Sequence, residues 1–101
     1  MYMGRTRTEE MHRTMAKIEI YTSPWCGYCL MAKRLFKKKG VEYVEFDVTS
    51  EPGKRAEMVQ RAHGLRTVPQ IFIDGRHVGG CNELYDLDRD GRLDPMLGQA
   101  A

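Results

Sequence analysis

The chain has 101 residues, room for one domain around one core. Hydrophobic residues make up 42% and charged residues 30%, a globular composition rather than a disordered one. The net charge of +2 is too small to argue for nucleic acid, and no apolar run approaches the roughly 20 residues that span a bilayer, so neither nucleic acid nor membrane is expected as a partner.

Residues 1–14 are polar, with Arg5, Arg7 and Arg13 set against Glu9 and Glu10, and show no apolar period. A disordered N-terminal extension is expected there, with the folded domain over residues 15–101. The extension has no apolar h-region, and its acidic residues do not suit an organelle leader. A cytoplasmic location is expected, where thiols are kept reduced. The three cysteines then point to catalysis or metal more than to a disulfide scaffold.

Residues 17–22 alternate and are rich in β-formers, which predicts a strand ended by Ser23-Pro24. From Gly27 to Lys39 the apolar Leu30, Met31, Leu35 and Phe36 recur at helical spacing, which predicts a helix with these side chains inward. Lys33, Arg34, Lys37, Lys38 and Lys39 fill its other face and last turn, where cations suit the helix dipole, and Gly40 is expected as a left-handed cap. This basic run lacks interleaved aromatics and reads as a solvated face, not a nucleic-acid surface. Residues 41–48 are predicted as a second strand. Strand, helix and strand with short joins predict a parallel pair with a right-handed crossover.

Thr49, Ser50, Glu51 and Pro52 carry start signals for a second helix running to about His63, with Met58, Val59 and Ala62 inward and Gly64 as its stop. Gln70-Ile71-Phe72-Ile73 is a third strand, Asp74-Gly75 a two-residue hairpin turn, and Arg76-His77-Val78 a short fourth strand. Gly79-Gly80 open a last helix from Cys81 to about Arg89, with Leu84, Leu87 and Tyr85 toward the core. Residues 91–101 read as a short, Pro-interrupted tail. The order β-α-β-α-β-β-α predicts an α/β fold, a four-stranded mixed sheet with helices on both faces.

Cys26 and Cys29, between a strand and a helix, read as a dithiol redox site. Disulfide exchange needs a thiolate that attacks and a second thiol that resolves the mixed disulfide. Cys26 stands at the helix start, where free N–H groups and the dipole favour an anion, so its pKa is expected below the free value of about 8.5. Cys29 lies one turn in, close enough to bond Cys26, and is expected to be more buried and to stay protonated. Cys26 is the expected nucleophile and Cys29 the resolver. Gly27 adds no side chain to block an incoming disulfide, while Trp25 and Tyr28 can wall the approach. The alternative is half of a zinc site. Closed zinc sites need four ligands, and Cys81, His63 and His77 are scattered singly, so redox chemistry is preferred and no resident metal is expected.

Two further motifs narrow this. Thr67-Val68-Pro69 precedes the third strand and Gly79-Gly80-Cys81 precedes the last helix. Together with Cys26-Gly27-Tyr28-Cys29 they resemble glutaredoxins. The run over residues 67–74, then residues 77–81, then Leu93-Asp94-Pro95, is similar to the bacterial glutaredoxin 3 type, and the resemblance covers residues 15–97. It implies a thioredoxin fold and a glutathione-dependent oxidoreductase acting on protein–glutathione mixed disulfides and small disulfides. Glutathione is then the co-substrate, glutathionylated or disulfide-containing proteins are partners, and a monomer is the working unit. The resemblance also implies a cis Pro69, with the Val68 backbone exposed to pair with the cysteinyl part of glutathione like an added strand. Tyr28, Thr67, Val68, Pro69, Gly80, Cys81 and Asn82 become glutathione-binding candidates, with the helix opening at residues 80–82 suited to the γ-glutamyl carboxylate. Read alone, Gly79-Gly80 is a tight turn and Cys81 a small packed hydrophobe.

Three positions depart from the family pattern. Gly27 replaces the usual proline. Ser23 stands where a basic residue usually meets the glycyl carboxylate, which predicts weaker binding unless Arg66 or Gln60 substitutes. Asn82 replaces an acidic residue and carries no charge for the γ-glutamyl amine. Gly27 also opens an alternative function, a [2Fe-2S] cluster carrier or sensor in which Cys26 from each of two chains and two glutathiones supply four thiolates. A thioredoxin reading is set aside because Tyr28 stands where thioredoxin has Pro. Asp86, Asp88, Asp90, Gly91 and Asp94 mimic a calcium loop, but Leu97 falls where a bidentate Glu is needed, so an acidic helix end and turn is expected.

Overall fold

A computed structural model describes residues 16–99, and the extension expected over residues 1–14 lies outside that range. The sheet is built around β1 (Ile18–Thr22), which pairs in parallel with β2 (Val44–Asp47) and antiparallel with β3 (Gln70–Ile73). β3 pairs antiparallel with β4 (Arg76–Gly79), so the strand order is β2-β1-β3-β4 and the sheet is mixed, as expected. All five residues of β1 are buried although the sequence alternates, because helices cover both faces of this inner strand.

Ile18, Ile20, Ile71 and Ile73 form one face of the sheet. Against them pack Ala32, Leu35 and Phe36 of α1 (Gly27–Lys38) and Leu84 of α3 (Cys81–Arg89). Tyr21 and Phe72 form the other face, packed on Met58 of α2 (Lys54–Arg61) and on Ala62 that follows it. Glu19 is buried on this second face because Arg61 reaches it with both ends of its fork, at 2.9 and 3.2 Å. The same guanidinium donates to the Tyr21 hydroxyl at 2.8 Å and lies 4.1 Å over the Phe72 ring. Tyr21 in turn donates to the Glu57 carboxylate. The only charges taken into this layer are therefore paired among the described residues, and they fasten α2 to the sheet.

Several expectations shift. In α1 the buried residues are Cys29, Ala32, Leu35 and Phe36, while Leu30 and Met31 remain 46% and 44% exposed. The inward stripe is the i, i+3, i+6, i+7 set, and two of its members are too small to dominate a periodicity made by large apolar residues. Val41 does not join β2: its N–H closes the end of α1 on the Phe36 carbonyl at 3.2 Å, beside Gly40 at φ +72. Residues 49–52 form a turn rather than the start of α2. Asp47 Oδ1 accepts from the Thr49 N–H at 2.9 Å and its hydroxyl at 2.7 Å, and the helix is capped at Gly53 instead. Asp74 and Gly75 take φ +52 and +79, the paired positive values of the expected two-residue hairpin.

The largest correction is the tail. It is not loose: Leu93–Met96 forms a short helix, α4, and Leu93 and Leu97 are fully buried against the α1–α3 core. Pro95 sits in the first turn of α4, where a missing N–H breaks no intrahelical bond, so it does not interrupt the helix. Lys39 at the end of α1 holds Asp88 at 2.7 Å and Asp94 at 2.8 Å, and Gln99 donates to the Lys39 carbonyl at 2.6 Å. Asp86 pairs with Arg89. Three of the calcium-like aspartates, Asp86, Asp88 and Asp94, are thus engaged with basic side chains. Leu97→Ala is expected to lower stability by about 3 kcal/mol in urea denaturation with an unchanged slope. A loss under about 1 kcal/mol would show that the tail is not part of the core. No helix among the described residues is long and apolar enough to cross a membrane.

Candidate active site

β1 ends at Thr22, and the chain turns through Trp25, which takes φ +63 with its ring fully exposed. A bulky side chain rarely adopts that backbone conformation; here it delivers Cys26 to the N-cap of α1. The Cys26 Sγ accepts the Cys29 backbone N–H at 3.2 Å, the bond that a Ser or Asp oxygen usually makes at this position. Cys26 Sγ is thereby held at the N-terminal end of α1. Cys26 is partly exposed, and a side chain added at Gly27 would meet no atom within 4 Å, so the approach is open.

Cys29 points inward and is 2% exposed. Burial, followed by its bond to Cys26, pushes its thiol from an ordinary value near 9 up to about 12. Cys29 is thus a buried thiol that holds its proton, and Cys26 is the accessible sulfur of the pair. Burial, followed by the bond to Glu57, likewise pushes the Tyr21 phenol to about 12. Both groups hold their proton more tightly folded than unfolded. Their contribution is therefore intact below the ordinary values, near pH 9 and 10, and is lost as pH rises toward 12. Thermal melts should show stability falling from about pH 9 upward, and the pair Cys29→Ser and Tyr21→Phe should flatten that fall. An unaltered slope in the double variant would contradict this account.

The second wall comes from the far end of the chain. The Val68-Pro69 peptide is cis, and the Val68 carbonyl oxygen lies 3.7 Å from Cys26 Sγ. Beside it runs a groove of about 310 Å³ lined by Tyr28, Thr67, Val68, Pro69, Gly80, Cys81, Asn82 and Glu83. All seven residues singled out as glutathione-binding candidates meet in this one groove. Cys81 is nearly buried, and burial followed by proximity to Cys26 raises its thiol, which fits a packed wall. Glu83 is a groove residue that the sequence reading missed. Its Oε1 accepts the Gly80 N–H at 2.7 Å, and the glutamate three residues past a helix start was the available signal.

Ser23 lies in a different groove, of about 470 Å³, lined also by Cys26, Cys29, Trp25, Lys33, Glu45 and Asp47. Neither Arg66 nor Gln60 joins the groove of Tyr28 and Asn82; both line a separate surface depression with Arg55 and Val59. His63 and His77 lie with ring centroids 5.4 Å apart. Among the described residues no group of three or more His, Cys, Asp or Glu is placed to hold a metal ion.

Comparison with known proteins points to one family. The glutaredoxin family matches residues 18–78. The chain is 52% identical over 83 residues to Glutaredoxin 3 of Escherichia coli strain K12, covering 82% of this chain and 99% of that protein. Among solved structures, the glutaredoxin of Brucella melitensis shares 48% identity with a TM-score of 0.73, covering 84% of this chain and 91% of that one. A buckwheat glutaredoxin–glutathione complex shares 34% identity with a TM-score of 0.74, covering 89% and 84%. A match over more than half of the chain, joined to a relative covered almost end to end, means that this chain belongs to the glutaredoxin family.

Proposed function

We propose that the chain reduces protein–glutathione mixed disulfides and low-molecular-weight disulfides, with Cys26 as nucleophile, Cys29 as resolver and glutathione as co-substrate. The observation that carries this reading is the place of Cys26: a partly exposed sulfur on the N-cap of α1, 3.7 Å from the Val68 carbonyl, at the edge of the Tyr28–Glu83 groove. The Cys26 thiolate attacks the glutathionyl sulfur, the mixed disulfide breaks, and the substrate leaves as a thiolate that takes a proton from water. Cys26 then carries glutathione. A second glutathione thiolate attacks that sulfur, releasing oxidised glutathione and restoring Cys26. In the dithiol route Cys29 attacks instead, and two glutathiones reduce the resulting Cys26–Cys29 bond. Family potentials of about −200 to −230 mV lie close enough to the glutathione poise for this flow.

In this reading the Val68 backbone pairs with the cysteinyl part of glutathione. The N–H groups at Cys81 and Asn82 take the γ-glutamyl carboxylate. Tyr28 walls the thiol, and Thr67, Pro69 and Gly80 shape the floor. Glu83 supplies negative charge to a groove where Asn82 supplies none. A monomer in a reducing compartment such as the cytoplasm suits the chemistry. The test is an assay with a glutathionylated peptide, glutathione and the NADPH-linked reductase that recycles oxidised glutathione. Turnover saturable in both substrates is expected; a rate no greater than the uncatalysed exchange would overturn the reading.

A second reading is favoured by the open space at Gly27 beside the accessible Cys26. One chain offers a single accessible thiol there, so a [2Fe-2S] cluster would join two copies through Cys26 of each and two glutathiones. Anaerobic purification with glutathione separates the readings. Visible absorption with a dimeric mass supports the cluster carrier, and a colourless monomer rejects it.

A further inference from the structure

We propose that Gln70 and His77 are positioning residues that set where the loop of residues 67–69, and with it the Val68 peptide, stands against Cys26. The inference rests on the glutathione reading above and adds to it the groups that hold the peptide edge in place. Gln70 begins β3 and is 1% exposed, an amide at the base of an otherwise apolar strand. Its side chain doubles back on the loop: Nε2 donates to the Thr67 carbonyl at 3.0 Å and to Thr67 Oγ1 at 3.1 Å. With the NH2 end committed to Thr67, Oε1 must face the other way, and it meets His77 Nε2 at 2.7 Å. An amide oxygen can only accept, so His77 Nε2 carries the proton of this bond.

His77 is itself held. Its ring stacks on Phe72 at 5.0 Å and 30°, and Phe72 is core. Burial, followed by the nearby His63, keeps His77 below the ordinary imidazole range, consistent with a neutral ring whose one hydrogen points at Gln70. A continuous series of contacts therefore runs from Phe72 through His77 and Gln70 to Thr67. The next peptide is Val68, whose oxygen is 3.7 Å from Cys26 Sγ. A leucine would fill the same space without the expense of burying an amide. The amide instead adds direction: it bonds one loop on one side and one ring on the other, and so specifies the loop's height above α1.

The experiment uses the full chain and a glutathionylated peptide. Gln70→Leu keeps the volume and removes every polar bond to the loop; His77→Phe keeps the stack on Phe72 and removes the donor. Gln70→Leu is expected to raise KM about tenfold and His77→Phe about threefold, with kcat within about twofold in both. Alkylation of Cys26 by iodoacetamide should stay within about twofold, because the N–H that the sulfur accepts belongs to α1, while the Val68 carbonyl on the loop can accept only from the protonated thiol and not from the thiolate that is alkylated. The Thr67 and Val68 amide signals of the glutathione-free chain should move in both variants. Unchanged KM in folded variants, unmoved Thr67 and Val68 signals, or a fall of kcat and alkylation in parallel with KM would each overturn the inference. If Gln70→Leu does not fold, His77→Phe alone decides the question by the same readouts. Failure of the unaltered chain to turn over the peptide would instead overturn the functional reading, and the amide signals would still judge the loop placement.

Discussion

Cys26→Ser is expected to lower glutathione-dependent turnover by at least about a thousandfold. A serine hydroxyl at that N-cap would still accept the Cys29 N–H, so the fold and the groove should survive while the nucleophile is lost. An alkoxide is not available near pH 7, and oxygen does not form the mixed disulfide on which both routes depend. Cys29→Ser should behave differently. The hydrogen bond to Cys26 comes from the backbone of residue 29 and is kept, so Cys26 remains oriented. Turnover of a glutathionylated peptide should stay within about threefold, since a second glutathione can release Cys26. Reduction that proceeds through the Cys26–Cys29 disulfide should fall more than about tenfold. Parallel measurement of both variants on a glutathionylated peptide and on a small non-glutathione disulfide checks the division of labour. Residual turnover in Cys26→Ser would move the nucleophile elsewhere, with Cys81 the remaining sulfur in the groove. Equal loss in both variants would make Cys29 part of every cycle.

Gly79→Ala is expected to damage both stability and glutathione handling. Gly79 takes φ +116, a region that costs a side-chain-bearing residue about 1–3 kcal/mol. A Cβ there would also stand 2.9 Å from Glu83 Oε1, 3.0 Å from its Cγ and 3.2 Å from its Cβ. Glu83 can swing away, but its Oε1 then leaves the Gly80 N–H that it accepts at 2.7 Å. The strain and the lost bond should together lower stability by about 2–4 kcal/mol. Because Gly80 and Glu83 both line the groove, KM for a glutathionylated substrate should rise about tenfold. Urea denaturation and Michaelis kinetics measure the two effects separately. Glu83→Ala alone measures the lost Gly80 bond, and adding it to Gly79→Ala removes Oε1 and Cγ from the contact, so the full double-mutant cycle separates the lost bond from the backbone strain. A single variant within about 0.5 kcal/mol of the unaltered chain would contradict this description of the groove wall.

Much of the fold was legible because its signals are local. The hairpin at Asp74-Gly75 needs two adjacent positive φ values, and that residue pair advertises them. β3 and α3 begin and end where their apolar pattern and flanking glycines indicate. Cys26 at a helix start was visible for the same reason. The groove candidates were legible differently, through resemblance: nothing in the spacing of residues 67–69 and 80–82 says that they meet, and the fold brings them together. The misreadings have separate causes. Periodicity weights large apolar residues, so Leu30 and Met31 outvoted Cys29 and Ala32 for the inner face of α1. Pro95 reads in the sequence as an interruption, but only its place within α4 determines whether a missing N–H matters.

By itself the chain determined β1, β3, the Asp74-Gly75 hairpin, the bounds of α3 and the place of Cys26 and Cys29 at the start of α1, because these depend on backbone preferences and hydrogen bonds within a few residues. Tertiary structure alone decided which side chains face one another across distant segments: Arg61 on Glu19, Lys39 on Asp88 and Asp94, and Gln70 between Thr67 and His77. Those pairings depend on the register of strands and the packing of helices over them. A buried polar group must find its partner there, because the interior offers no water to replace it.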